Sequence, residues 1–512
     1  MLSFIHLRGS SPSLASRVWA SLLWLTFWSC TTNAAAVSNI YPRTDLKPLL
    51  TNETWSPNTT VSFPDSPEFV NATERWTTFS APTYSAAISP GTEQDLVTVI
   101  KLATSHKIPF LATGGRHGYT TTYARLHDGL AIDLSQFNSI KLDKAAETIT
   151  VGPGVTVGQI FDPLYNAGFD LQTGSSPCPS LIGVSLGGGI GQYQGVYGLI
   201  SDSLVSARVL TADGKLLDVS NTSNTDLFWA IRGAGSNFGI VTSATYKVHP
   251  LKDNGNVFIA EFLVSAEQVP KYFKTLESMN PLPAELSSIV LMGYNGTTNK
   301  TQAEVHWTYK GPEDKGRAAL KPIFDLNLEA TQVKLVPWNK LLSSLFGGNT
   351  AIACEAGVTR DIYGLNYKNY SASTNSASFN KMANYFDKYP GGRNGSLLLE
   401  FFPNQALKAV PTDATAFEWR DAMGYMNLNL IFDAGDNATE SAAIALGREL
   451  RQDIAATSGY PEITVFVNYA HGDEGLERIY GKDKLPRLAQ LKKTWDPNQF
   501  FSYNNGLPTH YP

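Results

Sequence analysis

Apolar residues recur at helical spacing along Leu96, Val99, Ile100 and Ala103, with Thr92 and Asp95 in a capping-box arrangement just ahead. That spacing predicts a helix that opens at Thr92 and has ended by Pro109. Residues 110–112 then read as a short buried strand, 130–134 as a second and 148–151 as a third, cut by Gly152-Pro153-Gly154. Val157, Ile160, Phe161 and Leu164 return to an amphipathic helical pattern. Two strand-like runs, 207–212 and 215–219, flank Asp213-Gly214, a dipeptide that favours a two-residue hairpin turn. Beyond Asn254, strand-like runs such as 257–263 alternate with longer helical ones such as 442–446. The irregular interleaving predicts an α+β fold, its second part an antiparallel sheet with helices. Residues 37–80 are rich in Pro, Ser, Thr and Asn and read as an extended lead-in.

The first residues follow another pattern. Arg8 and Arg17 precede an apolar run over 18–28, and Ala34-Ala35-Ala36 follows. A basic start, a short apolar core and a small-residue cleavage site describe a secretory signal peptide over 1–36, too short to span a bilayer comfortably. Sequons at Asn52, Asn58, Asn71, Asn221, Asn295, Asn299, Asn369, Asn394 and Asn437 make N-glycans the companion expectation. Cys30 leaves with the signal, and Cys178 and Cys354 neither demand nor exclude a disulfide.

With 512 residues, 43% hydrophobic and 17% charged, the chain describes a folded protein of two or three domains. A net charge of −5 offers no basic footprint for nucleic acid. No His/Cys cluster with metal-ligand spacing occurs, so no metal is expected.

Chemistry concentrates in two glycine-rich segments, Gly114-Gly115-Arg116-His117-Gly118-Tyr119 and Leu186-Gly187-Gly188-Gly189-Ile190-Gly191. Glycines let main chain approach a phosphate-bearing ligand closely, and His117 stands among them. The second segment fails the dinucleotide fingerprint, because Gln194 occupies the third glycine position after Gly189 and Gly191. No P-loop sequence is present.

Four further segments follow in order: residues 197–202, 228–241, Val467-Asn468-Tyr469 and 495–501. Together with the glycine segments they resemble berberine bridge enzyme-like flavoproteins of the vanillyl-alcohol-oxidase (PCMH-type) FAD-binding superfamily, in a pattern closest to the fungal branch. The resemblance spans roughly residues 75–508. It implies a two-part FAD-binding domain over 81–253, a substrate domain over 254–460 and a C-terminal segment over 461–508 that returns to complete the FAD site.

The resemblance also assigns roles. FAD would lie with its pyrophosphate against Gly114, Gly115, Gly118, Gly187, Gly188 and Gly189. His117 would bond covalently to the flavin 8α-methyl, and the Arg116 guanidinium would face a phosphate. Many relatives attach FAD a second time through a cysteine. Ser176 stands at that position here, so attachment through His117 alone is expected, with Cys178 a buried thiol. Gly239, Ile240 and Val241 would run under the cofactor, Asn505 would bond the flavin edge, and Tyr469 would serve as base. Met426 and Asn427 stand where some relatives place a pocket acid, which argues against carboxylate-base chemistry. The activity implied is an oxidase removing a hydride from a small organic molecule, with O2 as acceptor, in secondary-metabolite biosynthesis. A secreted carbohydrate oxidase and a non-redox isomerase or cyclase are the alternatives.

Overall fold

The computed structural model describes residues 45–348 and 353–512; the expected signal peptide lies outside the described residues. A four-stranded sheet in the order β1-β2-β4-β3 is built from β1 (Thr60–Ser62), β2 (Tyr84–Ser89), β3 (Phe110–Thr113) and β4 (Gly129–Asp133). Strands β2, β4 and β3 run parallel and β1 joins β2 antiparallel. The helix Glu93–Ser105 forms as its spacing predicts, with the Thr92 hydroxyl accepting the Asp95 N–H at 3.1 Å.

From residue 45 onward the lead-in is folded. Its helix Leu46–Thr51 buries Leu46 and Leu50, its helix Pro67–Thr73 buries Ala72, and β1 extends the sheet. Three buried apolar residues across some thirty positions give too weak a period to read.

A second, antiparallel sheet runs β5-β6-β10-β8-β9, with β5 (Ile140–Asp143), β6 (Thr148–Val151), β8 (Leu204–Leu210), β9 (Leu216–Ser220) and β10 (Ile240–Lys247). Strands β7 (Phe169–Asp170) and β11 (His249–Pro250) form a small pair beside it. The β8–β9 hairpin is present, but its loop is longer than the dipeptide predicts. The last pair is Leu210 with Leu216, and Thr211 closes the loop by donating through its N–H and hydroxyl to the Lys215 carbonyl.

The third sheet is antiparallel and seven-stranded, ordered β15-β12-β14-β13-β17-β18-β16. Its strands are β12 (Asn256–Val264), β13 (Leu286–Asn295), β14 (Lys300–Lys310), β15 (Glu329–Pro337), β16 (Arg360–Tyr367), β17 (Ser396–Phe401) and β18 (Gly424–Ile431). Alternation gives it two faces. Leu397, Leu399, Phe401, Met426 and Leu428 pack behind it with the helices Val269–Ser278, Ala372–Lys388 and Asn437–Ala455. In front, Ile259, Ile289, Leu398 and Tyr425 meet the core shared by the second sheet and the C-terminal segment. Glu400 of β17 and Asn427 of β18 therefore lie on this front face, toward the loops and the C-terminal turn.

Candidate active site

Glu400 is the one acid in the apolar run of β17, and it is fully buried on the front face. Ser175 donates to its Oε1 at 2.9 Å and Tyr469 to its Oε2 at 3.0 Å. Tyr119 lies beside Tyr469, ring centroids 6.4 Å apart, and accepts the Asn427 amide N–H at 3.0 Å. Three distant stretches of chain thus meet: the loop after β3, the loop near residue 175, and the C-terminal turn Val467–Tyr469, against β17 and β18.

The electrostatics separate the two acids of this cluster. Burial raises the Glu400 carboxyl, and the Ser175 and Tyr469 hydrogen bonds offset only part of that, leaving it at about 7. Burial and the Glu400 charge hold the Tyr469 phenol well above its usual value. Tyr469 therefore keeps its proton, and the group poised to change protonation near neutrality is Glu400. Tyr469, expected from the sequence to serve as base, is here the hydrogen-bond donor to Glu400. A carboxylate is nevertheless present in this cluster. Met426 belongs to the rear core and Asn427 serves Tyr119, while the acid sits one strand over. In the cross-strand register Glu400 opposes Tyr425.

His117 occupies a half-exposed loop between β3 and the turn Thr121–Arg125. Its ring stacks on Trp76 with centroids 5.3 Å apart, and Arg360 covers Trp76 at 4.4 Å. Burial, then the charges of Arg360, Arg75 and Arg116, lower its pKa to about 4. The imidazole is thus neutral, the form with a nucleophilic nitrogen. The loop presses tightly on its neighbour: a Cβ on Gly115 would lie 2.6 Å from the Ser180 nitrogen. Only glycine permits that approach.

Residues 84–220 match the family description "FAD binding domain" and residues 465–508 match "Berberine and berberine like". The FAD-linked oxidoreductase fogF of Aspergillus ruber is 45% identical over 502 residues, covering 95% of this chain and 98% of that protein. The chain belongs to the berberine bridge enzyme-like FAD-linked oxidoreductases. Its fold is shared by BBE-like 1 of Physcomitrella patens, with a TM-score of 0.79 at 23% identity over 92% of this chain and 100% of that one. Glucooligosaccharide oxidase from Acremonium strictum, described as carrying a 6-S-cysteinyl, 8α-N1-histidyl FAD, aligns with a TM-score of 0.78 at 20% identity over 88% and 98% of the two chains.

The residues of this BBE-like enzyme fit FAD. The main chain of 114–118 and 174–177 is partly open, and the Ser176 hydroxyl is buried without a hydrogen-bond partner. An orphaned polar atom beside open main chain is what a polar ring edge would satisfy.

The other expected contacts divide. Arg116 turns its guanidinium onto Asp133 at 2.6 Å and onto the Glu74 carbonyl. Gly187, Gly188 and Gly189 are buried, and a Cβ on Gly188 would lie 2.6 Å from the Phe417 ring. The close approach seen at Gly188 is thus to a packed side chain. Gly239, Ile240 and Val241 are equally enclosed. Asn505 is buried and takes the Thr120 hydroxyl at 3.3 Å, tying the C-terminus to the loop after His117. Cys178 is no free thiol: it forms a disulfide with Cys354, their Cα atoms 5.7 Å apart. Glu400, Ser175 and Trp76 were missed by sequence reading. The one available signal was a charged residue inside the otherwise apolar run of 397–402.

Proposed function

We propose that this enzyme is an oxidase that removes a hydride from an alcohol, amine or allylic carbon of a small, neutral, largely apolar molecule, with O2 as the final acceptor. The observation that carries the reading is the buried Glu400 carboxyl at about 7, held between Ser175 and Tyr469. FAD, when bound, supplies the two-electron acceptor. Glu400 receives the proton that the substrate loses with its hydride, and Tyr469 and Ser175 hold the carboxylate toward it. His117 anchors the flavin 8α position, and Ser176, unable to form a thioether, leaves that attachment single.

The front face of the sheet supports the substrate class. Leu291, Leu398 and Asn427 lie in one cross-strand row, and all three are half-buried. Asn429 adds a second amide two residues along β18. An apolar floor with amides along one side suits a flat molecule carrying one or two oxygens. A sugar would leave hydroxyls unpaired against Leu291 and Leu398, at a cost of about 1–3 kcal/mol for each buried group. Secondary-metabolite biosynthesis, reached through the secretory pathway with N-glycans attached, is the setting we propose.

The test is anaerobic mixing of the purified enzyme with panels of aryl and allylic alcohols, amines and oligosaccharides. Bleaching of the flavin's visible absorbance by the apolar alcohols or amines, then peroxide on admitting air, is expected. Bleaching by oligosaccharides alone would make it a carbohydrate oxidase. Product without bleaching would make it an isomerase or cyclase.

A further inference from the structure

Two residues beyond Tyr469, His471 is buried at the meeting of three elements. Its carbonyl accepts the Thr121 N–H at 2.7 Å and the Thr121 hydroxyl at 2.9 Å, four residues after His117. Its ring points the other way, stacked on Tyr363 of β16 with centroids 4.4 Å apart. Its Nε2 lies 3.0 Å from Asp361 Oδ1, also on β16, and its Nδ1 lies 3.2 Å from Asp473 Oδ1. The residue bridges the loop after His117 to the sheet that carries the substrate face.

We propose that His471 is a positioning residue whose charged imidazole pins the Tyr469 segment between the seven-stranded sheet and the loop that follows His117. The proposal rests on the placement of Tyr469 beside Glu400 and does not depend on which substrate is oxidised.

The surrounding charges explain why a cation is needed. Asp361 is fully buried, and its Oδ2 has no hydrogen-bond partner. Arg451, on the helix Asn437–Ala455, forks onto Asp473 at 2.7 and 2.8 Å and reaches Glu474 at 3.0 Å. Glu474 in turn accepts the N–H groups of His471 and Gly472 at 2.9 Å each. Arg448, on the same helix, acts on Tyr363. Arg451 is thus committed to the two acids of the turn, leaving the imidazolium as the counter-charge of Asp361. Neutral histidine would strand a buried carboxylate, an expensive arrangement.

Burial alone would lower the imidazolium, but Asp361 and Asp473 more than offset it and hold it at about 9. The folded pKa thus stands above the unfolded one. The stabilisation it contributes is complete below the unfolded value of about 6.5 and is lost as pH rises through about 9.

Hydrogen exchange on the holoenzyme, read peptide by peptide by mass spectrometry, needs no substrate and so separates this proposal from the reaction. In wild type, protection over 119–123 and 468–474 should fall as pH passes about 9, after correction for intrinsic exchange. His471→Gln keeps a donor toward Asp361 but no charge, and should raise exchange in both peptides at pH 7 about tenfold while β8 and β10 stay protected. Asp361→Asn removes the facing anion, and should move the alkaline loss down by about one pH unit or more. The visible circular dichroism of bound FAD should change along with exchange. Equal protection in wild type and His471→Gln at pH 7, or an alkaline loss that Asp361→Asn leaves in place, overturns the proposal.

Discussion

Glu400 turns a local hydrogen-bond pattern into a pH profile. Its carboxyl, held at about 7, accepts a proton only when ionised, so flavin reduction should rise with pH through about 7. In Glu400→Gln, stopped-flow reduction should be slower by about 10²–10⁴-fold and lose that limb. Tyr469→Phe removes a donor that lowers the Glu400 pKa, so the limb should move to higher pH, with a smaller loss of about tenfold. An unmoved limb in Tyr469→Phe would break the link between the two residues. Stability offers a second check with a definite sign. Glu400 holds its proton more tightly folded than unfolded, so it costs stability as pH rises from 4.5 through about 7. Glu400→Gln should therefore raise Tm at pH 8 and leave it nearly unchanged at pH 5. His117 and Tyr469 were legible because they sit in recognisable local strings. Glu400 was not, because its role comes from strand register. It lies beside β18 and beneath a turn 69 residues further along the chain, and neither neighbour leaves a trace in the sequence around it.

At the level of elements, periodicity carried well wherever an element buries one clear face. The helix from Thr92, β3, β4 and β6 follow their apolar spacing, while the β8–β9 loop departs because Thr211 and Lys215 close it from outside the Asp213-Gly214 pair. What spacing cannot convey is how closely two elements approach. Strand β16 meets the C-terminal turn at Gly364, where a Cβ would lie 2.8 Å from the Cβ of Tyr469 and closer still to its carbonyl oxygen. The contact is main chain on main chain, with no flexible side chain to yield. Gly364→Ala should therefore push Tyr469 off Glu400, at about 1–3 kcal/mol of stability. Its activity loss should be at least that of Tyr469→Phe, with the same alkaline movement of the limb. An alanine variant with wild-type kinetics and Tm would show that the turn relaxes freely.

For the molecule as a whole, the Cys178–Cys354 bridge closes a covalent loop of 176 residues and joins the segment ahead of β16 to the loop that carries Ser175 and Ser176. Chain-entropy reasoning gives a loop of that length about 5 kcal/mol, by restricting the unfolded chain. The bridge also takes up the Cys178 sulfur, two residues from Ser176, so under the proposed function it bears on cofactor attachment as well as stability. Such a bond persists in an oxidising compartment. The sequon asparagines also suit glycosylation, since all are exposed except the half-buried Asn295. Cys178→Ser/Cys354→Ser, or wild type treated with a thiol reductant, should unfold several degrees below the oxidised protein. Both should still retain yellow colour on the polypeptide after acid denaturation if, as we propose, the attachment runs through His117. In His117→Ala the colour should be released even with the disulfide intact. Colour that stays in His117→Ala but leaves once Cys178 is also replaced would move the anchor to Cys178, and would show the bridge and the flavin competing for one sulfur.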